Sequence, residues 1–384
     1  MGIVGEFADR RSGRPLRTTW RSALLSVVAV VALVASGCAP EPSPIDRVAE
    51  IIHFVEQARG RPFLTTPVVT FESDAAFRAD VLASIVAAKP AIDQDEVAFK
   101  ALGWMDPGDS LYAKYQTTFG GAVVGYYDPA TKVLKVRGTD VTPYRREVIA
   151  HELTHALDDQ YFDLDVEKGP GLISQEQLAF LVAVEGDAVR VQQSYVTTFN
   201  PIEAAQDLAE QLSLGADPAL LTVPLALLSL TQMPYLQGPR FTGAQVGAGV
   251  PAGLDAVFSR YPDTEEEAFD PAKYASDEGS VSLPTPPADG AVVRSGTWGQ
   301  FLLTLILQNG LSLDATVNPL TVGWAGGSFV TWTAGGDDCI RIDTRMDTGA
   351  QAHDLATALG AWAVERSAAS VSTTGNDVRL TSCN

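Results

Sequence analysis

Two short runs of the sequence contain the residue types that carry out hydrolytic metal chemistry. The run HELTHALDDQ places His151, Glu152 and His155 in an HExxH pattern, and the run VEGDA supplies Glu185 about thirty positions later. Residues four apart in a helix lie one turn apart on the same face, so the two histidines can bind one metal ion. Glu152 stands beside them as a general base for a water at the metal. Two imidazoles, one carboxylate and one open position predict a hydrolytic zinc site.

The helical pattern around Glu185 places its carboxylate on a buried face. Ser174 and Gln177 form a capping-box pattern that begins this helix. Because a buried carboxylate is costly unless it is paired or binds a metal, we expect Glu185 to be the third ligand. Gly186 would let a second helix approach closely, and Asp187 is a candidate acceptor for the second ring N–H of a ligand histidine. The other residues that share the face of Glu185 are apolar: Leu178, Leu181, Val182, Ala188 and Val189.

Several acidic residues that follow the HExxH pattern are alternative metal ligands. Asp159, Asp163 and Asp165 compete with Glu185 as the third ligand, but we interpret them as a solvated acidic turn. Together with Asp158 and Glu167 they are also a candidate calcium site, although their spacing fits no standard calcium loop. The histidines outside the pattern, His53 and His353, have no motif that would make them ligands.

The segments before the HExxH pattern predict how it is positioned. The run AVVGYYDPATKVLKVRG has two β-rich parts that flank a turn at 128–131, which predicts a hairpin. Thr142 and Pro143 then mark the N-cap and first residue of a helix that runs to about Gln160. The strand at 122–127 is a candidate edge strand that would bind an extended peptide by β-augmentation. The alternative is a hairpin that only packs against the helix.

The second half of the chain predicts a mixed helical and sheet portion. Pro224 and Pro234 are expected to interrupt its apolar helical segment, and the runs GSFVTW and CIRIDTRM predict strands. The proline-rich stretch at 280–290 is a candidate internal boundary. We therefore expect an α+β fold that is mainly helical, with the metal-binding helices and upstream hairpin followed by a C-terminal α/β portion, in one continuous domain over 47–384. Four tryptophans are expected in its core: Trp298, Trp324, Trp332 and Trp362.

The first 37 residues predict export. Five arginines precede an apolar run over 23–35, which is followed by small residues and Cys38. The apolar run is too short to span a bilayer, which takes about 20 residues. The stretch ALVASGC resembles the lipobox of bacterial lipoproteins. This resemblance implies cleavage before Cys38, a lipid on its thiol, and a position on the outer face of the bacterial cytoplasmic membrane. The proline-rich composition after Cys38 predicts a tether over 38–46.

Cysteine content and charge restrict the environment and the partners. If Cys38 carries a lipid, Cys339 and Cys383 are the remaining thiols, and in an exported chain we expect them to form a disulfide. The alternative is two free buried cysteines. The formal net charge of −20 repels phosphate groups, so nucleic-acid binding is excluded.

The two metal-binding runs together resemble the gluzincin class of zinc metallopeptidases. More narrowly, they are similar to a group of bacterial, often actinobacterial, metallopeptidase lipoproteins. The later runs PYLQGPRF at 234–241, YPDTEEEAFDPAKY at 261–274 and GWAGGSF at 323–329 resemble further blocks of that group, so the resemblance covers most of the chain after the tether.

This resemblance implies a zincin-like core and one zinc ion per chain. His151, His155 and Glu185 would be its ligands, and Glu152 the base. The sequence departs from the commonest gluzincin pattern at Val189, where an acid follows the ligand glutamate by four residues in that class. It also has Ser328 where the last block is expected to have an acid.

The resemblance also implies peptide-bond hydrolysis. Glu152 would take the proton of the attacking water and return it to the leaving amine. The oxyanion needs a second electrophile besides zinc, which in gluzincins is commonly a histidine or tyrosine. The candidates in this chain are Tyr126, Tyr127, Tyr235 and Arg240.

Three hypotheses therefore compete. The first is a lipid-anchored zinc endopeptidase that acts on a peptide or protein substrate. The second is an inactive peptidase fold that serves as a cell-surface binding or assembly protein. The third is a zinc hydrolase of cell-wall peptides or another non-peptide amide. An intact ligand set and base favour an enzyme over an inactive fold.

Overall fold

A computed structural model describes residues 43–166, 168–169, 171–312 and 314–384 of the chain. Residues Pro44–Asn384 form one compact unit of the α+β class, with more helix than strand. This confirms the expected fold class. The predicted export segment, Cys38 and Glu167 lie outside the described residues, as does most of the tether. Residues 44–46 of the expected tether instead begin a helix, so its predicted C-terminal bound is wrong.

The first half of this unit contains the segments that were expected to position the metal site. They are, in chain order, α1 (Pro44–Arg59), β1 (Val68–Glu72), α2 (Asp74–Ser84), α3 (Lys89–Ala101), α4 (Leu111–Ala122), β2 (Gly125–Asp128), β3 (Val133–Arg137), α5 (Pro143–Phe162), α6 (Gln175–Val196) and α7 (Pro201–Gly215).

The second half continues with a long helix, several short helices and most of the strands. The elements are α8 (Leu225–Gln245), α9 (Ala252–Ser259), α10 (Glu265–Phe269), α11 (Pro271–Ser276), β4 (Ala291–Thr297), α12 (Gln300–Leu307), β5 (Trp324–Ala334), β6 (Asp337–Met346), α13 (Gly349–Val364), β7 (Ala369–Thr374) and β8 (Asp377–Cys383). Short 3-10 turns lie at Pro218–Thr222, Val246–Ala248 and Pro319–Thr321.

The predicted hairpin is present and belongs to a three-stranded sheet of order β1-β3-β2. Strand β3 lies in the middle, antiparallel to β2 and parallel to β1. Asp128 closes the turn, because its carboxylate accepts a hydrogen bond from the backbone N–H of Ala130. Strand β2 therefore lies at one edge of this sheet, as the sequence predicted, and it packs against α5. It begins at Gly125 and not at residue 122, which is the last residue of α4.

The two helices that carry the HExxH pattern and Glu185 begin where the sequence predicts. Thr142 caps α5 by accepting a hydrogen bond from the N–H of Arg145, and Pro143 is the first residue of the helix. Ser174 caps α6 by accepting from the N–H of Gln177. An apolar core buries the facing sides of these helices together with α1 and β3. It includes Ile51, Val55, Leu134, Val136, Ile149, Leu153 and Val191.

Helix α8 continues through both of its internal prolines, so the expected interruption at Pro234 is wrong. Pro224 does precede the helix, as its N-cap, but Pro234 and Pro239 lie inside it. Each proline removes one backbone donor from the helix. Extensive packing of α8 along α6 outweighs this cost. The two helices cross where Gly186 of α6 meets Gly238 of α8, which confirms the close approach expected at Gly186.

The C-terminal strands form a second sheet of order β4-β5-β6-β8-β7. The stretch around 280–290 is a loop that leads into β4 within the same compact unit. All four tryptophans that were expected in the core are buried. Cys339 of β6 and Cys383 of β8 lie opposite each other and form a disulfide, which confirms the expected pair. None of the helices in the described part of the chain has the length and apolarity needed to cross a bilayer.

Candidate metal centre

The three residues that the sequence nominated as metal ligands meet at one point between α5 and α6. Nε2 of His151 lies 3.1 Å from Oε2 of Glu185 and 3.1 Å from Nε2 of His155. Nε2 of His155 lies 3.5 Å from the same glutamate oxygen. Among the described residues, this is the group of histidine and carboxylate side chains whose ligand atoms converge closely enough to hold a metal ion.

The opposite ring nitrogens have different surroundings. Nδ1 of His151 contacts Oε1 of Gln192 at 2.9 Å. Because an amide oxygen only accepts hydrogen bonds, this contact places the ring proton of His151 on Nδ1 and leaves a lone pair on Nε2. Nδ1 of His155 is buried and has no hydrogen-bond partner among the described residues.

The donor set fits a metal cation. Two lone-pair acceptors, Nε2 of His151 and Oε2 of Glu185, point at each other, and such a pair is stable only when a positive charge or proton lies between them. Burial lowers the pKa of His155, but Glu185 outweighs that effect and raises it to about 9. Burial raises the pKa of Glu185, but the histidines hold it well below its usual range. Two nitrogens and one carboxylate oxygen are ligands that zinc accepts.

Glu152 lies in the same cleft and is held by the edge strand. Its Oε2 accepts a hydrogen bond of 2.9 Å from the backbone N–H of Tyr127, which leaves the second oxygen for proton transfer. Strand β2 comes this close because Gly125 has no side chain. A Cβ there would lie 2.8 Å from a methyl group of Val148 and 3.6 Å from Cγ of Glu152.

Of the four oxyanion candidates, Tyr235 is the one that contacts the ligand set. It lies on α8, its ring stacks on that of His151 with 6.0 Å between centroids, and 41% of its surface is exposed. The charge of Glu185, with which the Tyr235 hydroxyl also forms a hydrogen bond, raises the pKa of Tyr235, so the hydroxyl keeps its proton as a donor.

The other three candidates have different partners. The hydroxyl of Tyr127 donates to Asp159 at 2.6 Å, and the hydroxyl of Tyr126 interacts with Lys135. Arg240 is bound to the backbone carbonyl of Asp314 at 2.8 Å and does not line the cleft.

The expectation that Asp187 accepts a hydrogen bond from a ligand histidine is wrong. Its carboxylate contacts Nε of Arg59 at 2.7 Å and a guanidinium nitrogen of Arg190 at 2.6 Å. Arg59 is fully buried and also contacts Asp158 at 2.7 Å. Asp187 therefore belongs to a buried charge cluster that joins α1, α5 and α6. Gln192, one turn and a half further along α6, takes the role that was expected of Asp187.

The acidic residues that competed with Glu185 do not gather around a metal position. Asp159 accepts hydrogen bonds from the Tyr127 hydroxyl and from Lys132, and it also caps the backbone N–H of Leu164. Asp163 ends α5 as its C-cap, and Asp165 is exposed. In the described part of the chain these residues form no group that could hold an ion.

The ligand atoms open into a cleft with a cavity volume of about 670 Å³. Strand β2 forms one wall through Gly125, Tyr126 and Tyr127, and α8 contributes Gln232 and Tyr235 on another side. The cleft is large enough for several residues of an extended chain, and its walls place an edge strand, a carboxylate and a phenol around the three ligands.

Sequence reasoning missed three residues of this site. Gln192 lies seven residues after Glu185 and therefore on the same helical face. Glu147 lies one turn before His151 on α5 and is buried beside Gln192. Gly238 is the partner of Gly186 at the helix crossing. The spacing of Gln192 and Glu147 could have indicated them, whereas the position of Gly238 depends on how α8 folds back.

Comparison of the chain with protein-family models, with curated proteins and with solved structures gives no match.

Proposed function

We propose that this protein is a zinc metallopeptidase of the zincin-like, gluzincin type. The observation that carries the proposal is the convergence of His151, His155 and Glu185 in an open cleft that Glu152 also lines. A structural zinc site would be closed and usually rich in cysteine, whereas these three protein ligands leave a position open. The edge strand beside the HExxH helix further supports a zincin-like core.

His151, His155 and Glu185 would hold one zinc ion, which when bound supplies a Lewis acid and lowers the pKa of a coordinated water. Glu152 takes the proton of the attacking water on its free oxygen and delivers it to the leaving amine, so the proton count is unchanged at the end. The hydrogen bond from Tyr127 keeps this carboxylate in place through both transfers.

Tyr235 donates a hydrogen bond to the oxyanion. Its ring is already fixed against His151, so the hydroxyl does not have to be ordered at the moment of reaction. Strand β2 binds the substrate as an extended peptide, because it lines the cleft at the edge of its sheet and, apart from the N–H of Tyr127 that Glu152 occupies, its outer side faces no other strand of the described residues. The natural class of substrate is therefore a peptide or an unfolded segment of a protein.

We further propose that the enzyme works outside the cytoplasm, attached to the membrane through a lipid on Cys38. The disulfide between Cys339 and Cys383 supports this location, since such bonds persist in oxidising compartments.

The test is cleavage of a mixed-sequence peptide library by the purified, zinc-loaded chain, followed by mass spectrometry. The matched control is Glu152→Gln, which keeps the size of the side chain but removes the base. We expect cleavage within peptides by the unmutated chain and a loss of at least about a hundredfold in the variant, at equal zinc content. No cleavage by the unmutated chain, or equal cleavage by both, would contradict the proposal.

A further inference from the structure

A chain of buried polar side chains runs away from the metal centre behind His151. Nδ1 of His151 contacts Oε1 of Gln192 at 2.9 Å, and Gln192 also hydrogen-bonds to Glu147. Glu147 in turn accepts from Nε2 of Gln211 at 3.1 Å, and the same nitrogen contacts Asp207. Glu147 and Asp207 are both buried, and no metal ligand other than His151 belongs to this chain. Three helices, α5, α6 and α7, contribute to it.

The carboxylates of Glu147 and Asp207 determine which group donates and which accepts in every hydrogen bond of this series. An ionised carboxylate only accepts, so Gln211 must present its NH₂ group to both Asp207 and Glu147. For the same reason Gln192 must present its NH₂ group to Glu147. The oxygen of Gln192 then faces His151, and an amide oxygen can only accept a proton from Nδ1.

We propose that Glu147, acting through Gln192, holds the ring proton of His151 on Nδ1 and so keeps Nε2 free to bind the metal. Glu147 is a positioning residue, since it touches neither the metal ligands' donor atoms nor the substrate. The inference rests on the proposed metal site and adds a residue that controls how well the site binds zinc. Such outer partners commonly alter metal affinity by about 10- to 100-fold.

The substitution Glu147→Gln tests the direction of the hydrogen bonds that link position 147 to His151, because it leaves the shape of the side chain unchanged. The amide at position 147 must accept from Gln211 through its oxygen, because Asp207 still fixes Gln211. Its NH₂ group then faces Gln192, which turns its own oxygen toward position 147 and its NH₂ group toward Nδ1 of His151. The ring proton moves to Nε2, where it competes with the metal. We expect zinc affinity to fall by about 10- to 100-fold.

The double variant Glu147→Gln/Gln192→Glu is the matched rescue. It exchanges a carboxylate and an amide of similar size. The carboxylate at position 192 accepts hydrogen bonds from Nδ1 of His151 and from the amide at position 147. Nδ1 of His151 is therefore a donor again, as in the unmutated protein. We expect zinc affinity within about threefold of that of the unmutated chain. If Glu147 had only a structural role, each of the two substitutions would lower the zinc affinity and the double variant would bind zinc more weakly than Glu147→Gln. That result would overturn the proposal.

The measurements are zinc affinity by competition with a chelator and the ¹⁵N chemical shifts of the histidine rings in the metal-free chain. Both are made at pH 8.5, because burial and Asp207 raise the pKa of Glu147 to about 7 and the carboxylate must be ionised. The chain has four histidines, and His53 and His353 are exposed, so their signals can be assigned by substitution.

The ring shifts test the proposal even if a variant does not fold. The unmutated metal-free chain is expected to carry a proton on Nδ1 of His151, and an Nδ1 without a proton would overturn the proposal. Unchanged zinc affinity in Glu147→Gln would overturn it as well. Failure of the unmutated chain to bind zinc would instead reject the proposed function, and the ring shifts would still report the direction of the hydrogen-bonded chain.

Discussion

The crossing of α6 and α8 at Gly186 and Gly238 is expected to set the position of Tyr235 relative to the metal ligands. A Cβ added at Gly186 would lie closest to the carbonyl oxygen of Gly238, and it would also lie 2.6 Å from the carbonyl carbon of Gly238 and 2.7 Å from Cγ2 of Thr242, whereas ordinary contact begins at 3.4 Å. The substitution Gly186→Ala therefore requires the two helices to separate by about 1 Å, so that the carbonyl oxygen is no longer overlapped. Tyr235 lies one turn before Gly238 on the helix that must move.

The magnitudes predict a small loss of stability and a larger loss of activity. Overpacking costs about 2 kcal/mol, and alanine in a helix stabilises by about 1 kcal/mol relative to glycine, so the free energy of unfolding should fall by about 1 kcal/mol. A displacement of a catalytic group by about 1 Å can cost up to about a hundredfold in rate. Zinc binding should stay the same, because all three ligands lie on α5 and α6.

The assay combines urea unfolding, zinc content and the rate of peptide cleavage. Gly243→Ala is the matched control, since Gly243 lies on the same helix α8 and a Cβ there would meet no atom within 4 Å. It should be as active as the unmutated chain and up to about 1 kcal/mol more stable. Full activity of Gly186→Ala would refute the reasoning, and so would a loss of zinc without a loss of stability.

Three further predictions concern single side chains. Arg59→Met leaves the buried carboxylate of Asp158 without its cation and removes one of the two arginines that bind Asp187, so it should destabilise the fold by about 3–5 kcal/mol in urea unfolding. Arg47→Met removes an exposed pair on the same helix and should cost less than about 1 kcal/mol. Equal effects of the two substitutions would contradict the burial argument. Burial raises the pKa of Glu265 to about 8, so the folded chain binds more protons than the unfolded chain between pH 5 and 8 and loses stability as the pH rises through that window. Glu265→Gln should remove up to about 1.4 kcal/mol per pH unit of that slope, and an unchanged slope would show that Glu265 ionises normally. Tyr235→Phe should keep its zinc and lower kcat by about 100- to 1,000-fold in steady-state cleavage, and a change confined to KM would exclude it as the oxyanion donor.

Local sequence patterns were enough to predict the elements that hold the metal ligands. Thr142 and Ser174 cap their helices through hydrogen bonds to residues three positions later, and the 128–131 turn is fixed by a side chain within it. The spacing of His151 and His155 likewise places both rings on one face. These interactions involve neighbours in sequence, so the residue types alone indicate them.

Interactions between distant segments were not predictable in the same way. Asp187 was expected at the metal site because it lies two residues after Glu185, but Arg59 from α1 reaches it and binds its carboxylate. The helix through Pro234 also depends on a distant partner, since packing along α6 compensates for the missing donor. The order of strands in the C-terminal sheet, with β8 between β6 and β7, has no local pattern that would specify it.

The most direct test of the metal centre is the zinc content of the purified chain after zinc loading and removal of free metal. We predict one zinc per chain in the unmutated protein and in Glu152→Gln, because Glu152 is not a ligand, and little or none in Glu185→Ala. The two variants change carboxylates in the same cleft, so a general disturbance of the fold would affect both. No zinc in the unmutated chain, or equal zinc in Glu185→Ala, would contradict the account.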